Sequence, residues 1–172
     1  MAEFVLHSHK ELDRGVYSTN EWIQLIKQIH SKGFCSTLSL TPTDVFDNEY
    51  QTSKNAHHCV GPTLEFASVG KMSDDKSWGN AGWLCTFIKS KTEMFSFRPT
   101  SGPIQHAEVS IYTGVHIVES NCICSLDQLM PALQVFLTEQ TYRAGDIWLE
   151  FNDVFMTHEI YENYRGGGLK KR

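Results

Sequence analysis

"HAEVSIYTGVHIVESNCIC", residues 106–124, is where two readings of this chain part. Its first letters, His106, Ala107 and Glu108, are the H-x-E of a zinc deaminase site, in which one His and two Cys hold the metal while the Glu moves protons. That site continues with P-C-x-x-C, and its H-x-E lies on a helix. Here Cys122 follows Asn121 rather than proline, and Ile123 alone separates it from Cys124. Ala107, Val109, Ile111, Val115 and Ile117 alternate with His106, Glu108, Ser110, Tyr112 and His116, which is the period of a half-buried strand. The stretch is therefore read as a strand with one polar face.

Outward from it, two segments carry helix start signals. In 125–139, Ser125 and Gln128 form a capping box, and Leu126, Leu129, Leu133, Phe136 and Leu137 make one apolar stripe. Pro131 removes a backbone donor near the second turn, so the helix is expected to kink there or to begin two or three residues later. In 17–33, Ser18 and Glu21 repeat the box, Tyr17 can staple onto Trp22, and Gly33 suits the left-handed position after the helix. Trp22, Leu25, Ile26 and Ile29 form its stripe.

Between and after these helices the period is two. Residues 34–40, 63–69, 82–88, 93–98 and 146–151, with the opening stretch, read as strands. Short links such as 89–91 favour an antiparallel meander. The expected architecture is thus a single α+β domain over 1–164, an antiparallel β-meander sheet packed against an N-terminal helix (19–32) and a C-terminal helix (126–139). Residues 41–62 read as a long polar loop or insertion, 70–80 as a shorter exposed loop, and 152–164 as a short packed helix.

The chain has 172 residues and a net charge of −5, yet Arg165, Lys170, Lys171 and Arg172 crowd into a basic tail at 165–172. Without them the body stands at −9. An acidic body repels nucleic acid and suits a cationic protein partner. No apolar run is long enough to cross a bilayer, and the first residues do not have the form of a signal peptide, so neither membrane nor export is expected and the location is read as cytoplasmic. The five cysteines are odd in number, which suits reduced thiols better than a disulfide framework.

Few residues are arranged for chemistry. His57, His58 and Cys59, with Cys122 and Cys124, offer ligands that Zn²⁺ accepts, but the spacing matches no zinc pattern and no metal or other cofactor is expected. No Ser or Cys nucleophile has an evident base, and the glycines at 166–168 lack the strand and helix of a phosphate loop. The aromatics and acids say more. Trp78 stands beside Asp74 and Asp75 in a polar loop, and Asp44, Asp47, Glu49 and Tyr50 stand in the other. Together these seven residues are the expected partner-binding surface, since tryptophan anchors interfaces and acids steer basic partners. Trp22, Trp83 and Trp148 read as core.

Over residues 118–151 the chain resembles the deaminase-associated immunity proteins of bacterial polymorphic-toxin and contact-dependent growth inhibition systems. Ser125, Ala132, Phe136, Leu137, Arg143 and Trp148 occupy matching places, and helix 19–32, strand 34–40 and "PTLEF" (62–66) look similar. Ala144 stands where the family has proline. The resemblance implies a non-enzymatic cytoplasmic inhibitor that binds one toxin C-terminal domain, a cationic nuclease or deaminase. Two rivals accompany it: a small zinc enzyme using His57, His58, Cys59, His106 and Glu108, and a phage-encoded inhibitor of a host protein.

Overall fold

The period-two segments pair into one antiparallel sheet in a computed structural model, which describes residues 2–8, 12–31, 37–52, 61–72, 78–90, 92–103, 105–111, 114–142 and 148–156. The elements run β1 (Phe4–His7), β2 (Leu12–Gly15), α1 (Thr19–Ser31), β3 (Thr37–Pro42), α2 (Thr43–Thr52), β4 (Thr63–Met72) and β5 (Trp78–Ile88). They continue with β6 (Met94–Phe97), β7 (His106–Ile111), β8 (Gly114–Glu119), a 3₁₀ turn (Ser120–Cys122), β9 (Ile123–Cys124), α3 (Leu126–Glu139), β10 (Trp148–Glu150), α4 (Phe151–Val154) and β11 (Phe155–Met156). The fold is α+β, as the sequence implies.

The sheet follows the order β10-β6-β5-β4-β3-β1-β2, so β3 to β6 form the expected meander. The β3–β4 ladder reaches Leu40↔Leu64. Two positions further in the same register, beyond Thr41 and Thr63, Pro42 and Pro62 have no backbone donors to extend the ladder, and the chain goes on from Pro42 into α2. Beyond the β4 irregularity at Val69/Gly70, β7 takes over the edge that β3 has vacated, with β8 and β11 following it. Strand β9 lies against β5 through Trp83↔Cys124 and Leu84↔Ile123. That approach requires Gly82, whose φ is 137° and whose added Cβ would sit 2.9 Å from the Cys124 carbonyl oxygen.

One face of the sheet is largely apolar. Leu6, Leu40, Leu64, Phe66, Phe87 and Phe97 meet Trp22 and Ile26 of α1 and Leu129, Leu133 and Phe136 of α3 in a shared core. Both helices start as the sequence predicts. Ser18 donates from its N–H and Oγ to Glu21 Oε2 at 2.7 Å each, and Tyr17 stacks edge-on against Trp22 at 4.7 Å. The Ser125/Gln128 box is reciprocal, and Gln140 closes α3 in the left-handed conformation. Helix α3 spans Leu126–Glu139, the expected limits, and runs through Pro131 without the later start that the proline could have imposed. The proline is exposed and close to the start, so one lost backbone bond is outweighed by the cap and the buried stripe.

The other face is divided. Ala67, Val69, Leu84, Val109, Ile111, Val118 and Val154 form a second apolar cluster toward one end. Beside it, His7↔Ser39, Ser39↔Glu65, Glu65↔Thr86 and Thr86↔Ser96 lie in register as one polar row across five strands. In that row Thr86 and Ser96 are buried and bonded to each other at 3.4 Å.

Four further expectations are corrected. The stretch read as one strand folds back on itself as the β7–β8 hairpin, Ile111 pairing with Gly114, and Val115 points to solvent while Ile117 and Val118 are both buried. The long loop read over 41–62 holds the end of β3, then α2, and the loop at 70–80 shortens because β4 and β5 extend until Met72 pairs with Trp78. In place of a helix over 152–164, α4 is a single turn followed by β11; residues 157–164 and the basic tail lie outside the described residues. Among the described residues, no helix is long and apolar enough to cross a membrane.

Candidate partner-binding surface

Helix α2 opens directly after Pro42, held by the Thr43 N–H, which donates to the Glu3 carbonyl at 3.0 Å. Asp44 lies in its first turn, where the helix dipole favours an anion. Phe46 turns inward, packing with Val5 and lying 4.8 Å from the His7 ring. That ring is fixed from beneath, since His7 Nε2 shares a hydrogen bond with Thr41 Oγ1 at 3.1 Å and Thr41 with Thr63 at 3.0 Å. With Phe46 inward, Asp44, Asp47 and Asn48 are left toward solvent.

Asp47 takes both of its oxygens to Arg14 of β2, at 2.7 and 3.1 Å. Hydrogen bonding to that guanidinium holds the Asp47 carboxyl below the usual carboxylate range and raises Arg14. Both side chains are well exposed, so the pair orients α2 on the sheet edge more than it stabilises the fold. Sequence reasoning missed Arg14, because "LDRG" has a single apolar residue and offers no strand pattern.

Of the seven residues expected to form one surface, four lie on α2 and Trp78 stands apart from them. Asp44, Asp47, Glu49 and Tyr50 all belong to α2, although the side chains of the last two lie outside the described set. Asp74 and Asp75 also lie outside it. Trp78 begins β5 opposite Met72, nine residues along β4 from Thr63, the row beside which Arg14 and Asp47 stand. At ~3.3 Å per residue this is about 30 Å.

The residues with metal and nucleophile chemistry are separated as well. Cys122 joins the apolar cluster of the divided face, and Cys124 joins the helix-covered core. Cys122 Sγ donates to Glu119 Oε2 at 3.4 Å, and Cys124 Sγ to the Trp83 carbonyl at 3.4 Å. Glu108 is exposed on β7, while His57, His58 and Cys59 lie outside the described residues. Among the described residues no group of three His, Cys, Asp or Glu is placed to hold a metal. Burial pushes the Cys124 thiol up to about 12 and raises Cys85 and Cys122 too.

Iodoacetamide at about pH 8 should therefore leave Cys85, Cys122 and Cys124 unmodified in the folded protein and alkylate them in urea, as read by peptide mass spectrometry. Rapid labelling of the folded protein at any of the three would contradict the packing. The sign for stability follows from raised folded values: the contribution is complete below the ordinary thiol value of 9.0 and is lost as pH rises toward about 12.

Glu119 belongs to a brace. Its carboxylate, 1% exposed, accepts from Arg98 Nε at 3.1 Å and from Asn121 Nδ2 at 2.7 Å, while Asn121 Nδ2 also donates to the Pro103 carbonyl and Arg98 Nη2 to that of Gly102. Glu119 and Asn121, just before Cys122, thus fasten the end of β8 to the loop after β6. No family model matches the chain, and neither a curated protein nor a solved structure does.

Proposed function

We propose that this chain is a non-enzymatic immunity-type protein that neutralises a cationic toxin domain, acting on nucleic acid, by laying the outer face of α2 against it. The observation that supports this is the composition of α2: within "TDVFDNEYQT" stand Asp44, Asp47 and Glu49 and no basic residue, on a helix anchored inward by Phe46. Among the described residues the cation bonded to it, Arg14, is matched by Asp47. Toxins that act on nucleic acid carry basic surfaces for phosphate, and an acidic helix competes for the same Lys and Arg while speeding encounter.

The test is titration with the C-terminal domain encoded immediately upstream. Binding is expected, with an association rate that falls as salt rises. Reversing charge with Asp44→Lys and Glu49→Lys should weaken the complex by about 2 kcal/mol, roughly thirtyfold. Absence of binding by that domain would refute the immunity reading, and equal affinity of the double variant would refute the role of α2.

A further inference from the structure

The outer edge of β2 ends the sheet, and among the described residues no strand pairs with it. Which of its backbone groups face outward follows from one bond. The Thr43 N–H to Glu3 carbonyl contact makes 3/43 a hydrogen-bonded pair, so by antiparallel alternation Val5 and His7 bond β3 while Phe4 and Leu6 bond β2. Their β2 partners are Gly15 and Asp13. Leu12 and Arg14 therefore turn their N–H and C=O groups away from the sheet.

The two flanks of this edge differ. On the side of the helix-covered core, Asp13, Tyr17, Glu21, Gln24 and Leu25 line an open cleft of about 370 Å³ between β2 and α1, which among the described residues holds two acids and no base. Tyr17 closes its floor by donating to Asp13 at 3.1 Å, seated where Gly15 has no Cβ. On the opposite side lie Leu12 and Val16, 60% and 49% exposed, and the Arg14–Asp47 pair. Natural edge strands are usually blocked by unpaired charge, proline or a bulge. Here the Arg14 charge is drawn aside onto α2 by Asp47.

We infer that the β2 edge accepts an extended segment of a protein partner as an added strand, with Lys or Arg on alternate residues facing Asp13 and Glu21 and apolar residues between them covering Leu12 and Val16. Main-chain bonds to Leu12 and Arg14 give the affinity, and the unlike flanks set the register. The inference shares with the function proposed above only the partner's positive charge.

The probe is the capped peptide Lys-Val-Lys-Val-Lys-Val, with Glu-Val-Glu-Val-Glu-Val as its charge-reversed control. Expected are saturable binding of the first alone and slowed amide exchange at Leu12 and Arg14 in the complex. Leu12→Pro removes an outward N–H at the first residue of a strand, so Tm should hold while affinity falls about tenfold. Failure of the lysine peptide to bind, equal binding of the glutamate peptide, or unchanged exchange at Leu12 and Arg14 overturns the inference; so does full affinity in a folded Leu12→Pro. Should that variant unfold, the exchange result on the native chain decides. A negative result with the peptides leaves titration of the upstream domain free to succeed or fail on its own.

Discussion

Phe136→Ala is expected to lower the free energy of unfolding by about 4 kcal/mol. Phe136 is 1% exposed, and its ring lies 5.6 Å from that of Phe4 and 6.0 Å from that of Phe87, so it joins α3 to two strands of the apolar face. Truncation removes the burial of a whole ring and leaves a void lined by groups that cannot close it, because Phe4 and Phe87 are fixed in the sheet. Against a total stability of roughly 5–15 kcal/mol, this is a large share. Urea unfolding followed by tryptophan emission should show a lower midpoint at unchanged slope. Phe136→Leu, which retains most of the volume, should cost much less. A loss below about 1 kcal/mol in the alanine variant would mean that α3 does not pack at this position.

The second large effect is expected at Arg98. Arg98→Ala leaves the Glu119 carboxylate buried with its cation gone, and removing one partner of such a pair costs about 3–5 kcal/mol. Asn121 and Cys122 still donate to Glu119, so the lower end of that range is the more apt. Adding Glu119→Gln to the Arg98→Ala variant removes the uncompensated charge while keeping a group that bonds Asn121, and should recover part of the loss. If the double variant is less stable than Arg98→Ala by the full cost of Glu119→Gln alone, the two residues are not coupled and the brace is misassigned.

Much of this architecture is legible in the sequence because its signals are local and redundant. Ser18 with Glu21 and Ser125 with Gln128 each mark a helix start on residues three apart, and an apolar stripe follows at helical spacing, so α1 and α3 stand almost at their predicted limits. Helix α2 gives no such stripe. Phe46 is its buried contact, Val45 beside it does not extend a stripe at helical spacing, and its position depends on Val5, His7 and Arg14, far back in the chain. The β7–β8 hairpin is hidden for a different reason. Alternation continues across Tyr112 and Thr113 without the Asn-Gly or Asp-Gly pair that marks a tight turn, so periodicity alone joins two strands into one.

The candidate site was legible in residue type and not in place. Acids in polar segments suggest a charged face, and the pairing of β4 shows that the group at 44–50 and Trp78 stand near opposite ends of a strand. The edge strand β2 escapes sequence reading altogether. Its four residues acquire meaning only through their partners on β1, and Arg14 through Asp47.

The polar row from His7 to Ser96 has a consequence for how the sheet finds its alignment. Alternation forbids a strand from sliding by one residue, since inside and outside would be exchanged, but it permits a slide of two. In the apolar core of the helix-covered face such a slide exchanges one hydrophobic neighbour for another at little penalty. On the divided face it would set Glu65 opposite Leu84 or Ile88 and strand Thr86 without Ser96's neighbourhood, trading satisfied polar groups for desolvated ones. The row thus works as an index mark, making the native alignment the one in which five strands agree.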